Sequence, residues 1–262
     1  METTSRKARW LGIAIGIVLP SLVTWLYFHL LAGGPKAIQQ GTFSVGKVIQ
    51  FGFPLFWVVV ILKKALWSAG LASVQDTSKD SSNPKPWSNG QSIGMGIAMG
   101  LAVCVAMYGI YRFGFSDTVT AKLGETLAER VAGFSINTWQ KFLALGIFYS
   151  LCHSFMEEYY YRWFVFGQLR HVTTLGPAVV VSGLAFMGHH VIVLEAYFGM
   201  TWLTIFLSLS IAIGGMIWAW QYEKSKSLVG PWISHLLVDA GIFAIGYQVL
   251  AAAGAFGLPA PA

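Results

Sequence analysis

Charge is what this sequence has least of. Only 11% of its 262 residues are Asp, Glu, Lys or Arg, and 55% are hydrophobic. A soluble domain carries about 25% charged residues. With a mean hydropathy of +0.61, this scarcity excludes an ordinary soluble domain and leaves a polytopic membrane protein. Long polar stretches are missing too, so residues 1–262 read as a single membrane-embedded domain. Cysteine is rare: Cys104 and Cys152 both lie inside apolar runs and read as buried free thiols, which says nothing about redox compartment. No internal repeat is visible, which argues against a transporter built from repeats. No small-residue cleavage site follows the N-terminal apolar run. The run 10–32, behind Arg6, Lys7 and Arg9, therefore reads as a first membrane span and not as a signal peptide.

What the chain does have is apolar runs. Seven can be marked, near 10–31, 45–66, 93–111, 139–166, 175–194, 198–220 and 228–253. Most clear the roughly 20 residues that a helical span needs. The expected fold is all-α, a transmembrane helix bundle of seven spans, or eight if a re-entrant piece crosses. Gly52 and Pro54 favour a kink or break in the second span. Residues 75–90 form a polar loop rich in Ser, Asn, Pro and Lys. Within the connection 113–137, the segment 119–131 carries Lys122, Glu125, Glu129 and Arg130. It suits a short amphipathic helix at the interface or a solvated loop helix.

The net charge of +6 reports topology before it reports any nucleic-acid partner, and none is expected. One set of span ends carries Arg6, Lys7, Arg9, Lys63, Lys64, Lys79, Lys85, Arg170, Lys224 and Lys226. The other carries Lys36, Lys47, Arg112, Lys122, Arg130 and Lys141. The richer set belongs inside, which puts the N-terminus in the cytosol and, with seven spans, the C-terminus outside.

Against this background Glu157, Glu158 and Arg162 stand out, set in a long apolar run. On insertion scales each costs roughly 2.5–3.5 kcal/mol at a span centre, so such residues face a bundle interior and work there. On a helix Glu158 and Arg162 lie about 40° apart, in the favourable acid-to-base order, while Glu157 points about 140° away from Arg162. Glu158 reads as a held anion and Glu157 as a base or ligand. The structural alternative is an ion-pair cluster that only fixes packing. Two acids against one base leave one charge without a local partner, which favours the chemical reading.

His190 follows Phe186 by four residues in the next span. If the turn between the two spans falls near 171–173, Glu157 and His190 sit within about 5 Å in depth. His189 points about 100° away and is secondary. In the last span His235 and Asp239 share a face, either as a self-satisfied pair or as a pair facing a polar cavity. His153, four residues before Glu157, either tunes that carboxylate or is a bonded core histidine. The aromatics are mostly belt and packing residues.

Glu-Glu-x-x-x-Arg, Phe-x-x-x-His and His-x-x-x-Asp, in that order on three apolar spans, resemble the signature of the CAAX prenyl-protease and bacteriocin-processing (CPBP, or Abi) family of intramembrane glutamate proteases. The resemblance covers about 139–249, which is the expected catalytic core. It implies a peptide-bond hydrolase with its site inside the bilayer. It implies that Glu157 activates water, that His190 helps to hold the water, and that His235 with residue 239 stabilises the oxyanion. Glu158 and Arg162 would support the site; His153 is counted with them only for its place four residues before Glu157. Many members carry Asn where this chain has Asp239, and an ionised Asp cannot donate a hydrogen bond. Asp239 is then either protonated or a residue that orients His235. No cofactor is implied, although Glu157, His190 and His235 would also make a two-histidine, one-glutamate zinc site.

The expected partners are the lipid bilayer and a peptide or protein substrate: a prenylated tail, a leader peptide or a sorting tail. The expected location is the plasma (inner) membrane of a bacterium. The competing reading is a non-catalytic immunity or scaffolding protein of the same fold, which binds a peptide or partner protein.

Overall fold

In a bilayer the backbone of a lone apolar segment has no partner but itself, so such runs fold as helices. The structure, a computed structural model, describes residues 2–64 and 85–257, with side chains described from Arg6. Every regular element among the described residues is helical: α1 (Glu2–Trp25), α2 (Lys36–Phe56), α3 (Asn89–Gly109), α4 (Asp117–Gly133), α5 (Trp139–Phe148), α6 (Ser154–Glu158), α7 (Gly167–Arg170), α8 (Leu175–Phe198), α9 (Trp202–Ser225) and α10 (Val229–Ala252). Wider π turns extend several of them, at Leu26–Leu30, Trp57–Ile61, Ile110–Gly114, Tyr149–His153 and Tyr159–Phe166.

Among the described residues six helices are long and apolar enough to cross a membrane: Arg6–Leu30, Lys36–Ile61, Asn89–Gly114, Leu175–Phe198, Trp202–Ser225 and Val229–Ala252. The protein is a multi-pass, all-α integral membrane protein. The remaining expected crossing, 139–166, is helical in consecutive α and π pieces, with the charged motif inside it. The segment 119–131 lies within α4, whose first turn is capped by Ser116 Oγ accepting from the Val119 amide at 3.3 Å. Of the expected polar loop 75–90, only 85–90 fall among the described residues, and positions 65–66 of the second expected span fall outside them.

The chain divides into two compact units, Met1–Ser88 with Glu157–Leu228, and Asn89–Met156 with Val229–Ala262. In the first, α8 and α9 meet where both lack side chains. A Cβ on Gly183 would stand 2.7 Å from the Ala212 carbonyl oxygen, and one on Gly215 3.1 Å from the Gly183 Cα. Such small-residue seams let membrane helices approach closely when hydrophobicity cannot drive them together. Helix α1 lies against α2 and α8, with Val23 against Gly46 and Ser21 against Gly188. Pro20 inside α1 lacks an N–H, so the Gly16 carbonyl loses its helical donor. The Tyr160 hydroxyl takes that place at 2.9 Å, which ties α1 to the segment just after Glu157. At one end Arg170 forms a two-pronged ion pair with Glu223, at 3.0 and 3.2 Å, and Arg9 donates to Gln168.

In the second unit α3 and α10 run along a seam of small residues. A Cβ on Gly96 would lie 2.4 Å from the Gly230 carbonyl oxygen, one on Gly100 3.1 Å from the Ser234 carbonyl oxygen, and one on Gly241 2.9 Å from Cys104 Sγ. Cys104 also donates to the Leu237 carbonyl at 3.1 Å. Val131, Phe142 and Leu250 form a buried apolar cluster in the same unit.

Candidate active site

The charged motif lies where α6 passes into the π turn Tyr159–Phe166. π turns inside helices gather at functional sites. Glu158 and Arg162 are both wholly buried, with Arg162 Nε 3.0 Å from Glu158 Oε2 and Nη2 3.3 Å from Oε1. This two-pronged contact is the pair expected from their spacing. The guanidinium lies among three aromatic rings, 4.9 Å from the centroid of Phe186, 5.5 Å from Trp218 and 5.9 Å from Tyr161. Cation–π attraction therefore adds to the carboxylate in holding the cation. Glu158 is the carboxylate that Arg162 holds.

Glu157 is turned elsewhere, as expected. It is 2% exposed. Its Oε1 lies 3.1 Å from Nε2 of His189, which is 4% exposed. His189 Nδ1 lies 2.9 Å from the Tyr161 hydroxyl, and the two rings stack at 5.7 Å with 9° between their planes. An ionised carboxylate only accepts, so Nε2 carries the hydrogen that points at Glu157. In the neutral ring Nδ1 then accepts from Tyr161. The result is a directed chain from Tyr161 through His189 to Glu157.

His190 is fixed differently. Its Nδ1 donates to the Phe186 carbonyl at 2.9 Å, which makes Nε2 the acceptor nitrogen of the neutral ring. Its ring lies 4.6 Å from Phe186 and 4.0 Å from His189. Glu157, His189 and His190 each offer one donor atom, and these atoms all lie within 4.8 Å of one another. The connection between α7 and α8, at 171–174, falls where the depth argument needs it.

His189, set second by its angle on the helix, is the imidazole that contacts Glu157 directly. Angular position on a helix describes where Cβ points, but an imidazole reaches well beyond Cβ. Two neighbouring histidines therefore flank one carboxylate. Lys47 was also missed, having been counted only as a topology charge. It lies inside the span Lys36–Ile61, and its ammonium sits over the rings of Phe43 and Phe51, at 5.4 and 5.6 Å. Phe51 in turn meets Tyr160 edge to face at 6.1 Å, and its carbonyl accepts from the Tyr159 hydroxyl at 3.3 Å. The signal available in the sequence was a lysine well inside a long apolar run.

His235 and Asp239 belong to the second unit, on α10. Nε2 and Oδ1 are 3.6 Å apart, with side-chain exposures of 4% and 16%. That distance is right for an ion pair and too long for a direct hydrogen bond. Ser234, next to His235, is part of the α3–α10 seam, so the histidine is placed by backbone packing. His153 also lies in that unit, its ring 4.7 Å from that of Tyr149.

A divalent ion fits the donor set Glu157, His189 and His190 in kind, because zinc accepts two imidazoles and a carboxylate with a fourth position open. His190 Nδ1, on the Phe186 carbonyl, has the sort of partner that orients a metal-binding histidine, whereas His189 would have to turn an Nδ1–H to the Tyr161 oxygen to free its Nε2. The expected zinc set named His235, whereas the set that the structure gathers in one unit names His189.

Residues 139–241 match a family model described as Rce1-like, Type II CAAX prenyl endopeptidase Rce1-like. All three motifs fall inside the matched stretch: Glu157 to Arg162, Phe186 to His190 and His235 to Asp239. This is the family that the motifs resemble, and it is a family of proteases. No curated protein and no solved structure matches the chain.

Proposed function

We propose that the protein is an intramembrane endopeptidase, which hydrolyses a peptide bond of a prenylated or otherwise membrane-borne tail with water activated by Glu157. The observation that carries this reading is a buried carboxylate flanked by two imidazoles, inside a stretch that matches a CAAX prenyl endopeptidase family. Hydrolysis needs a base for the water and a stabiliser for the oxyanion. Glu157 takes one proton of the water as the water oxygen bonds to the scissile carbon, and returns it to the leaving amine when the C–N bond breaks. His190 Nε2 accepts from the other, which leaves an oxygen lone pair aimed at the scissile carbonyl. His189 keeps the carboxylate in place, and Tyr161 keeps His189 in the required tautomer.

His235 is assigned the oxyanion role by its motif position, with Asp239 orienting the ring. An acceptor 3.6 Å from Nε2 suits that role better than it suits donation. The mechanism is metal-free in this reading, in keeping with the glutamate-type proteases that the motifs resemble. We place the protein in a bacterial plasma membrane, and the charge distribution favours a cytosolic N-terminus.

The test uses purified protein in detergent, treated with a divalent-metal chelator and offered prenylated, leader-type and sorting-tail peptides, with the products identified by mass. Cleavage of the prenylated peptide that survives the chelator is expected. Activity lost with the chelator and restored by zinc would convert Glu157 and the histidines from base and acceptors to ligands. No cleavage of any class by folded protein would favour the scaffolding reading.

A further inference from the structure

The motif residues do not account for every ionisable group within the spans of the first unit. Lys47 is the twelfth residue of a 26-residue span, about 17 Å along the helix from Lys36 and about 21 Å from Ile61. A charge at that depth marks a functional site unless a partner explains it. Arg162 has such a partner in Glu158. Lys47 does not: among the described residues no carboxylate lies within ion-pair distance of its ammonium, and no oxygen accepts a hydrogen bond from it. Its contacts are two aromatic faces, Phe43 one turn before and Phe51 one turn after. These hold the cation in place and leave its three N–H donors unspent.

Gln50 is a second unspent group on the same helix. It is fully buried, and neither its amide nitrogen nor its amide oxygen has a hydrogen-bond partner. Three residues apart, Lys47 and Gln50 are neighbours on the helix surface. Pro54, four residues after Gln50, also removes the helical donor to the Gln50 carbonyl. This part of α2 is tied to the catalytic segment through Phe51, by its ring contact with Tyr160 and its carbonyl contact with the Tyr159 hydroxyl. Unspent cationic and amide donors beside a hydrolytic centre suit an anionic group on the substrate.

We infer that Lys47, with Gln50, forms a carboxylate-binding subsite beside Glu157, which selects substrates that carry a carboxylate near the scissile bond. The inference rests on the endopeptidase reading for the word substrate, but the binding itself does not require cleavage. The carboxylate is either the free end of the peptide or an acidic side chain. The ammonium supplies the charge and the amide N–H directs it, while Phe43 and Phe51 keep the ammonium from folding away. Lys47 and Gln50 are specificity residues here, and Glu157 remains the base.

The experiment measures binding to Glu157→Gln protein in detergent, where turnover does not interfere. Three farnesylated peptides of one sequence are compared: the free acid, the C-terminal amide, and the amide with glutamate in the last position. The free acid is expected to bind at least tenfold more tightly than the plain amide. Lys47→Met in the same background should close that gap, Lys47→Arg should keep most of it, and Gln50→Leu should narrow it. Recovery of affinity by the glutamate amide would show that a side-chain carboxylate suffices, and its failure would restrict the subsite to chain ends. Equal binding of acid and amide, a gap that survives Lys47→Met, or no binding of any peptide would overturn the proposal. Cleavage by the wild type is scored separately, and its absence counts against the endopeptidase reading while the binding data still decide the subsite.

Discussion

The two units hold their ionisable groups by opposite means. In the first, side chains fix side chains: Glu158 grips Arg162, three rings enclose the guanidinium, and Tyr161, His189 and Glu157 form a hydrogen-bonded chain. In the second, backbone fixes side chain: α3 and α10 approach along glycines and serines, and His235 is carried by that approach with Asp239 at 3.6 Å. The contrast teaches where each unit is vulnerable. A polar network fails when one member is removed and leaves a buried charge, whereas a close-packed seam fails when one atom is added.

Removing one member should give the largest effect. Arg162→Met takes the ion-pair partner away from the wholly buried Glu158 carboxylate, so a loss of about 3–5 kcal/mol in stability is expected, read as a lower unfolding midpoint in detergent. Replacing Glu158 as well, in Glu158→Leu/Arg162→Met, should recover much of it. If the single variant were as stable as the wild type, the network account of the first unit would be wrong.

Next in size is His235→Ala, expected to cost roughly 10²–10³-fold in kcat with little change in stability, as for loss of an oxyanion donor. Asp239→Asn sharpens the same point. It restores the residue common in the family, and is expected to stay within a few-fold of the wild type. A collapse of activity in Asp239→Asn would show that the carboxylate itself is required. In the seam, Gly96→Ala puts a methyl group 2.4 Å from the Gly230 carbonyl oxygen, where backbone must shift. About 1–3 kcal/mol of destabilisation is expected, measured by thermal unfolding.

The smallest effect belongs to Tyr161→Phe. It removes one hydroxyl from the His189 tautomer lock and should cost about 1 kcal/mol, roughly fivefold in kcat/KM, while leaving KM nearly unchanged. An unaltered rate would mean that the ring stacking alone orients His189.

Much of this was legible in the chain. The Glu158–Arg162 pair follows from spacing of four on a helix, and it survives the π turn because the side chains still reach. The turn near 171–174 places Glu157 and His190 at one depth, and their donor atoms do converge. The long apolar runs gave the helices directly. Other features were hidden for physical reasons. His189 was set aside because a 100° step describes Cβ directions and ignores the length of an imidazole. Lys47 was absorbed into the positive-inside argument, since a lysine at depth and a lysine at a span end look alike when boundaries are uncertain by several residues. The π turns carry no glycine or proline signal at 149–153 or 159–166, so regular α geometry was the default. The α3 seam, Ser92, Gly96, Gly100 and Cys104 at intervals of four, was written in the sequence and needed only the question of which small residues share a face.

The most direct measurement is the cleavage rate of Glu157→Gln against the wild type on a prenylated peptide that the wild type cleaves, with unfolding midpoints taken on the same preparations. The account predicts a fall of about 10²–10⁴-fold at an unchanged midpoint, because glutamine keeps the shape and the His189 contact but cannot take a proton from water. A variant that folds like the wild type and cleaves at its rate would contradict the assignment of Glu157 as the base.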